Sequence, residues 1–120
     1  ENEAEPLVGA LQMDAACVVV NLFMLPDEPD LFRQCVQNIA RVRADCEKYG
    51  MPLMIEPLAM LPVAEHGGYM VDGDAEKIVT LTRLASEMGA DGWCRRPVAP
   101  FSSAAAARKT CVRCSTSRRR

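Results

Sequence analysis

The chain has 120 residues, 49% of them hydrophobic and 25% charged, with a formal net charge of −2. That length holds at most one domain with a modest core, and the apolar content excludes disorder throughout. No apolar run approaches the roughly 20 residues needed to cross a bilayer, and the acidic opening ENEAEP is unlike the basic start of a secretory signal, so a soluble cytoplasmic protein is expected.

Charge is unevenly spread. Residues 1–91 carry all 16 acids and 6 of the 14 bases, a net of −10. Residues 92–120 carry the other 8 bases and no acid, a net of +8. A break that abrupt at Asp91 marks two segments of different origin.

In chain order, LQMD (residues 11–14) reads as a helix end and CVVVNL (17–22) as a short strand, β-branched and apolar enough to be buried on both faces. The turn formers of LPDEPD lead into a helix over 30–49. Its apolar stripe is Phe32, Cys35, Val36, Ile39, Val42, Cys46 and Tyr49, and Gly50 stops it. MPLMIEP predicts a second strand, at 53–56. Residues 57–73, with Gly67, Gly68 and Gly73, read as a long loop. Asp74 is placed to cap a helix over 74–88 whose stripe is Ile78, Leu81, Thr82, Ala85 and Met88, and Gly89 stops it. Asp14, Gly50 and Gly89 hold comparable places, 36 and 39 residues apart, a period of one βα unit. Parallel strands with helical crossovers follow, either in an open doubly wound sheet or in an arc of an eight-stranded barrel.

After Asp91 the periodicity stops. Cys111-x-x-Cys114 is half of a zinc or redox motif, and one pair without a second is a weak signal. Arg118-Arg119-Arg120 reads as a solvated charge run, since only Trp93 and Phe101 could stack on bases. Cys17, Cys35 and Cys46 fall in strand or helix patterns, where a reduced thiol packs as a small hydrophobe. Gly67-Gly68 lacks the spacing of a phosphate loop. No metal, cofactor, nucleic-acid or membrane partner is expected.

LMIEPLAM sets one carboxylate, Glu56, in an apolar run just before a proline. A buried carboxylate is costly unless paired or neutralised. Either the strand ends there and the side chain meets water, or the position is a reaction site. Asn21 holds the matching place in CVVVN, as a contact for a substrate hydroxyl or simply as a polar strand terminus. Glu65, His66 and Tyr69 fall in the next loop, which in a barrel lines the mouth of the site; for His66 plain solvation is the better reading. Lys48 and Lys77 sit on helices, away from strand ends.

Together, GALQMDAACVVVNLF, RVRADCEKYGMPLMIEPLAM and LTRLASEMGAD resemble the class I aldolase superfamily of archaeal-type fructose-bisphosphate, tagatose-bisphosphate and deoxyribose-phosphate aldolases, over about residues 7–91. YGMPLMIEP is the most specific element: a helix ending in Tyr-Gly, a hydrophobe-Pro lead-in and a strand closing on Glu-Pro. The resemblance implies a TIM barrel that makes and breaks carbon–carbon bonds through a lysine Schiff base. It also implies a phosphorylated sugar as substrate, no cofactor, and a homo-oligomeric intact enzyme. Glu56 would be the catalytic carboxylate, moving protons beside a lysine on the next strand, and Asn21 is the substrate-binding candidate. Asp91 leads toward that strand, yet GWCRRPVAP has no lysine. A guanidinium stays protonated and cannot supply the neutral amine that attacks a carbonyl.

The expected fold is therefore α/β: over residues 1–91, an incomplete parallel βαβα segment of a TIM (β/α)8 barrel. Residues 92–120 are expected as a disordered or irregular basic tail outside it, of the kind a shifted reading frame yields in a GC-rich gene. The expected function is that of an aldolase-family lyase represented by a truncated segment, inactive alone and aggregation-prone through its open sheet edges. The alternative, a small non-catalytic α/β binding or partner-binding module, finds no first strand with a phosphate-binding turn in ENEAEPLVGALQ. Translating the nucleotides behind residues 92–120 in the two other frames should restore an apolar strand with a lysine; two frames without one would refute the shifted-frame origin.

Overall fold

The computed structural model describes residues 6–93 and 112–115. Its centre is three parallel strands: β1 (Cys17–Met24) and β4 (Gly92–Trp93) pair with β2 (Leu53–Pro62) between them. Helix α1 (Pro6–Gln12) precedes β1, α2 (Pro29–Tyr49) links β1 to β2, and α3 (Ala75–Glu87) lies between β2 and β4 in the chain. Two antiparallel strands complete the sheet. β3 (Tyr69–Val71) pairs with the far end of β2, and β5 (Val112–Ser115) with the outer edge of β1.

The three turns from helix to strand share one construction. Asp14, Gly50 and Gly89 all have left-handed backbone, with φ of 52°, 65° and 86°. After each, the next N–H bonds back five residues: Ala15 to Ala10 at 3.0 Å, Met51 to Cys46 at 2.9 Å, Ala90 to Ala85 at 3.2 Å. These are the long bonds of Schellman ends. A strand then begins three residues past each left-handed position, at Cys17, Leu53 and Gly92. The repeat read from sequence is thus a repeat of backbone conformation.

Register adds a second regularity. Val18 faces Leu53, and Met54 faces Gly92. Against the repeat-equivalent starts Cys17, Leu53 and Gly92, each strand is slipped by one residue. A slip of one residue per strand, carried round eight strands, is the shear of a TIM barrel.

The sequence boundary of the second strand needs correction. β2 continues through Pro57 to Pro62, and the expected loop contains β3. Proline survives there because alternate backbone groups of a strand point to opposite neighbours. Pro52 O accepts from Val18 on the β1 side, and Leu53 O accepts from Asp91 on the other. By that alternation the nitrogen of Pro57 turns away from β1. It falls between Met54–Ile55, paired with β4, and Met60–Pro62, paired with β3.

One face of the sheet makes the core. Val18, Val20 and Leu22 of β1 and Leu53 and Ile55 of β2 cluster with Leu31, Cys35, Ile39, Val42 and Cys46 of α2 and with Leu81 and Ala85 of α3. The α2 stripe is rotated from the expected one: Leu31 is buried, Phe32 and Val36 are only partly so, and Tyr49 is exposed. Ile78 is also exposed, because the first turn of α3 is tied to Asp72 rather than laid over the sheet. Asp74 caps α3 as expected, accepting from the N–H groups of Glu76 at 2.9 Å and Lys77 at 3.2 Å. The tail pattern announces no strand at 112–115; the open edge of β1 offers the unpaired backbone groups that β5 satisfies. Cys111 and the Arg118–Arg120 run lie outside the described residues.

Gly89 is the most constrained of the turns. A Cβ there would lie 2.8 Å from Cζ and Nε of Arg43. That guanidinium is held by Glu47 at 2.8 Å and the Met88 carbonyl at 3.4 Å. A Cβ on Gly50 meets nothing within 4 Å. Gly50→Ala should cost about 1–2 kcal/mol from left-handed strain alone, and Gly89→Ala more, since Arg43 must also move. Urea midpoints read the difference, and equal losses would refute it.

Candidate active site

Asn21 and Glu56 are direct register partners in the β1–β2 ladder. Side chains alternate along a strand, so these two point opposite to Val20 and Ile55, away from the helix-packed core. They are 2% and 1% exposed. Val19 and Met54 flank them on one side, Phe23 and Leu58 on the other. Cys17 Sγ rests 3.5 Å from Met54 Sδ on the same face. The strand-end position expected for both is corrected to mid-strand: Glu56 is the fourth residue of ten, and its side chain does not meet water.

Polar contacts gather where β1 and β2 end. Tyr69 pairs with Pro62, an even number of residues from Glu56, so it lies on the same face. Its hydroxyl donates to Asp27 Oδ2 at 2.8 Å, in the turn after β1. That bond, then burial and the charge of Asp27, pushes the tyrosine hydroxyl up to about 12. Asp72 lies on the other side, toward α3. Its N–H donates to Ala59 O at 2.8 Å, and its carboxylate accepts from Lys77 Nζ at 2.6 Å and Asp74 N–H at 3.0 Å. The Lys77 ammonium, then the Asp74 amide, hold the Asp72 carboxyl below its ordinary 3.8; the Asp72 carboxylate holds Lys77 above 10.5. Glu65 and His66 are exposed and 4.0 Å apart. Of the three loop residues expected at the mouth, only Tyr69 is buried, on the sheet face that Glu56 shares.

A cavity of about 370 Å³, lined by Arg43, Cys46, Glu47, Met51, Leu53 and Asp91 among others, opens at the opposite, N-terminal ends of the strands. It is remote from Glu56. Cys46, at its wall, has its thiol pushed up to about 11 by burial and then by Asp45 and Asp91, so it stays protonated and unreactive. Cys17, Cys35 and Cys46 are free thiols.

Comparison with known families matches residues 3–92 to the DeoC/LacD family aldolases. The chain belongs to this family. No curated protein and no solved structure is matched. The DeoC/LacD family implies a TIM barrel, and the described residues form an arc of it, with Asn21 and Glu56 on the face that lines a barrel's interior. Among the described residues no group of three or more His, Cys, Asp or Glu could hold a metal, and no helix is long and apolar enough to cross a membrane.

In this DeoC/LacD segment, neither lysine of the described residues stands on a strand. Lys48 Nζ lies 5.0 Å over the Tyr49 ring at the end of α2. Lys77 is fixed as a cation by Asp72 and does not offer a free amine. In the sequence Asp27 reads only as an acid at a helix start; the signal for the other pair was Asp72-Gly73-Asp74 ahead of a helix with Lys77 in its first turn.

The Asp72–Lys77 pair leaves a pH signature. The carboxyl is depressed in the folded chain, so its contribution is present above 3.8 and is lost as pH falls through the folded value. The ammonium is raised, so its contribution is present below 10.5 and is lost as pH rises through the folded value. The thermal midpoint of the native chain should exceed that of Lys77→Met near neutrality, with the gap closing below about pH 4. A gap that persists unchanged to about pH 2 would show that the pair contributes nothing.

Proposed function

We propose that this chain carries the acid–base half of a class I aldolase site for a phosphorylated sugar. Glu56 moves protons as the Schiff base forms and as the carbon–carbon bond breaks or forms, and Asn21 contacts a substrate hydroxyl. The amine belongs to the next strand; after Asp91 this chain reads GWCRRPVAP, without a lysine. The observation that carries the reading is the adjacency of Asn21 and Glu56 on a buried face turned away from the helices, in a chain of this family.

Schiff-base cleavage needs two kinds of group. A neutral amine attacks the ketose carbonyl, water leaves, and the resulting iminium accepts the electrons of the breaking carbon–carbon bond. A second group must take the proton of the neighbouring hydroxyl at that moment, within hydrogen-bond reach of it. A glutamate next to a hydroxyl-binding asparagine suits this second role. Without the first group the chain alone is inactive. Family membership supports a phosphorylated sugar as the substrate of the intact enzyme, and the fructose-bisphosphate aldolases are among the enzymes that YGMPLMIEP resembles.

Gly92 provides the test. It pairs with Met54, so a side chain there shares the face of Glu56, and its Cβ would meet Met54 Cγ at 3.7 Å, an ordinary contact. Treated with dihydroxyacetone phosphate and borohydride, the native chain should keep its mass. Gly92→Lys should gain a reduced ketose phosphate, and the double variant Gly92→Lys/Glu56→Gln should gain it about a hundredfold more slowly. An adduct on the native chain, none on Gly92→Lys, or trapping indifferent to Glu56 would overturn the assignment.

A further inference from the structure

We infer that β5 is a cap that closes the outer edge of β1 against a second copy of this chain. Backbone alternation defines that edge. Val18 N–H bonds Pro52 O on the β2 side. The backbone groups of Val20 turn the same way, and those of Cys17 and Val19 turn to the opposite edge. β5 covers that edge antiparallel, with Ser115 opposite Cys17 and Arg113 opposite Val19. Where backbone groups face each other across an antiparallel pair, the two residues exchange both hydrogen bonds. The N–H groups of Arg113 and Ser115 therefore point at β1, and those of Val112 and Cys114 point away.

The direction of β5 makes it a cap. A TIM barrel is parallel throughout, and the β1–β2 and β2–β4 pairs keep to that rule. β5 runs the other way and cannot carry a barrel onward. Without it, β1 would present a row of unpaired backbone groups on a strand rich in valine, six of whose eight residues are buried. The occupant that suits such an edge is another β1. Two copies related by a two-fold axis would bring their β1 strands together antiparallel, the geometry β5 already adopts. Charge favours the internal cap over the copy. The acidic residues 1–91 attract the basic segment 92–120 that contains β5, and they repel a second acidic body.

The test is the solution mass of the full chain, measured by sedimentation across a concentration series with reductant and physiological salt, beside amide exchange at Val18 and Val19. The native chain should be a monomer. Arg113→Pro removes a donor that faces β1 and should form a dimer, growing no further because the two-fold contact uses up both edges. Cys114→Pro removes a donor that faces away, and Arg113→Ala keeps every backbone donor, so both should stay monomeric. At concentrations low enough to keep Arg113→Pro monomeric, its Val19 N–H should exchange about tenfold faster than in the native chain, the factor expected for losing one hydrogen bond. Val18 N–H, held by β2, should keep its native rate in every variant. The cap is overturned by a monomeric Arg113→Pro at every concentration, by growth past a dimer, or by equal association of the native chain, Cys114→Pro or Arg113→Ala. Equal Val19 rates in the native chain and dilute Arg113→Pro overturn it too. Faster Val18 exchange in Arg113→Pro would show that β5 holds β1 onto β2, and overturns a cap acting on the edge alone.

Discussion

Asp91 grips Leu53 by both of its backbone groups. Its N–H donates to Leu53 O at 2.8 Å, and its carboxylate accepts from Leu53 N–H at 2.8 Å. The grip fixes the phase of the third βα unit against the second, and in a sheet phase decides which side chains share a face. The same logic governs the first two units, where Val18 N–H bonds Pro52 O at the start of the ladder. Once these starts are set, the one-residue slip between strands brings the fifth residue of β1, Asn21, beside the fourth of β2, Glu56. The pair is a product of stagger, and equivalent positions in the repeat do not meet.

What the sequence discloses is local. Gly50 and Gly89 stop helices because their backbone is left-handed, and Asp14 takes the same conformation as one of the few other residue types that tolerate it. Apolar spacing shows two helices, and YGMPLMIEP carries the family. Non-local facts stayed hidden. Pro57 reads as a breaker, since a sequence does not display which neighbour a strand nitrogen faces. Tyr69 reads as one more loop residue until β3 and Asp27 are in place. Even the α2 stripe was misphased by its ends: Leu31 outcompetes Phe32 for the core, and Tyr49 lies too near the helix end to turn inward.

Charge is sorted by side. The face toward the helices takes its polar pair at the rim, where Asp72 and Lys77 satisfy one another and the cap of α3. The interior face keeps an amide and a carboxylic group among apolar neighbours, a setting in which each added or missing partner matters more than in water. The groups that look reactive elsewhere are quenched by their surroundings: Cys46 by burial and two nearby acids, Lys77 by its carboxylate.

Pro57 also bears on the company this sheet can keep. It occupies the stretch of the outer border of β2 that neither β4 nor β3 covers. A foreign strand docking there would find no donor where its ladder most needs one. Proline at a sheet border is one of the devices by which hydrophobic segments such as LMIEPLAM are kept from stacking with foreign strands.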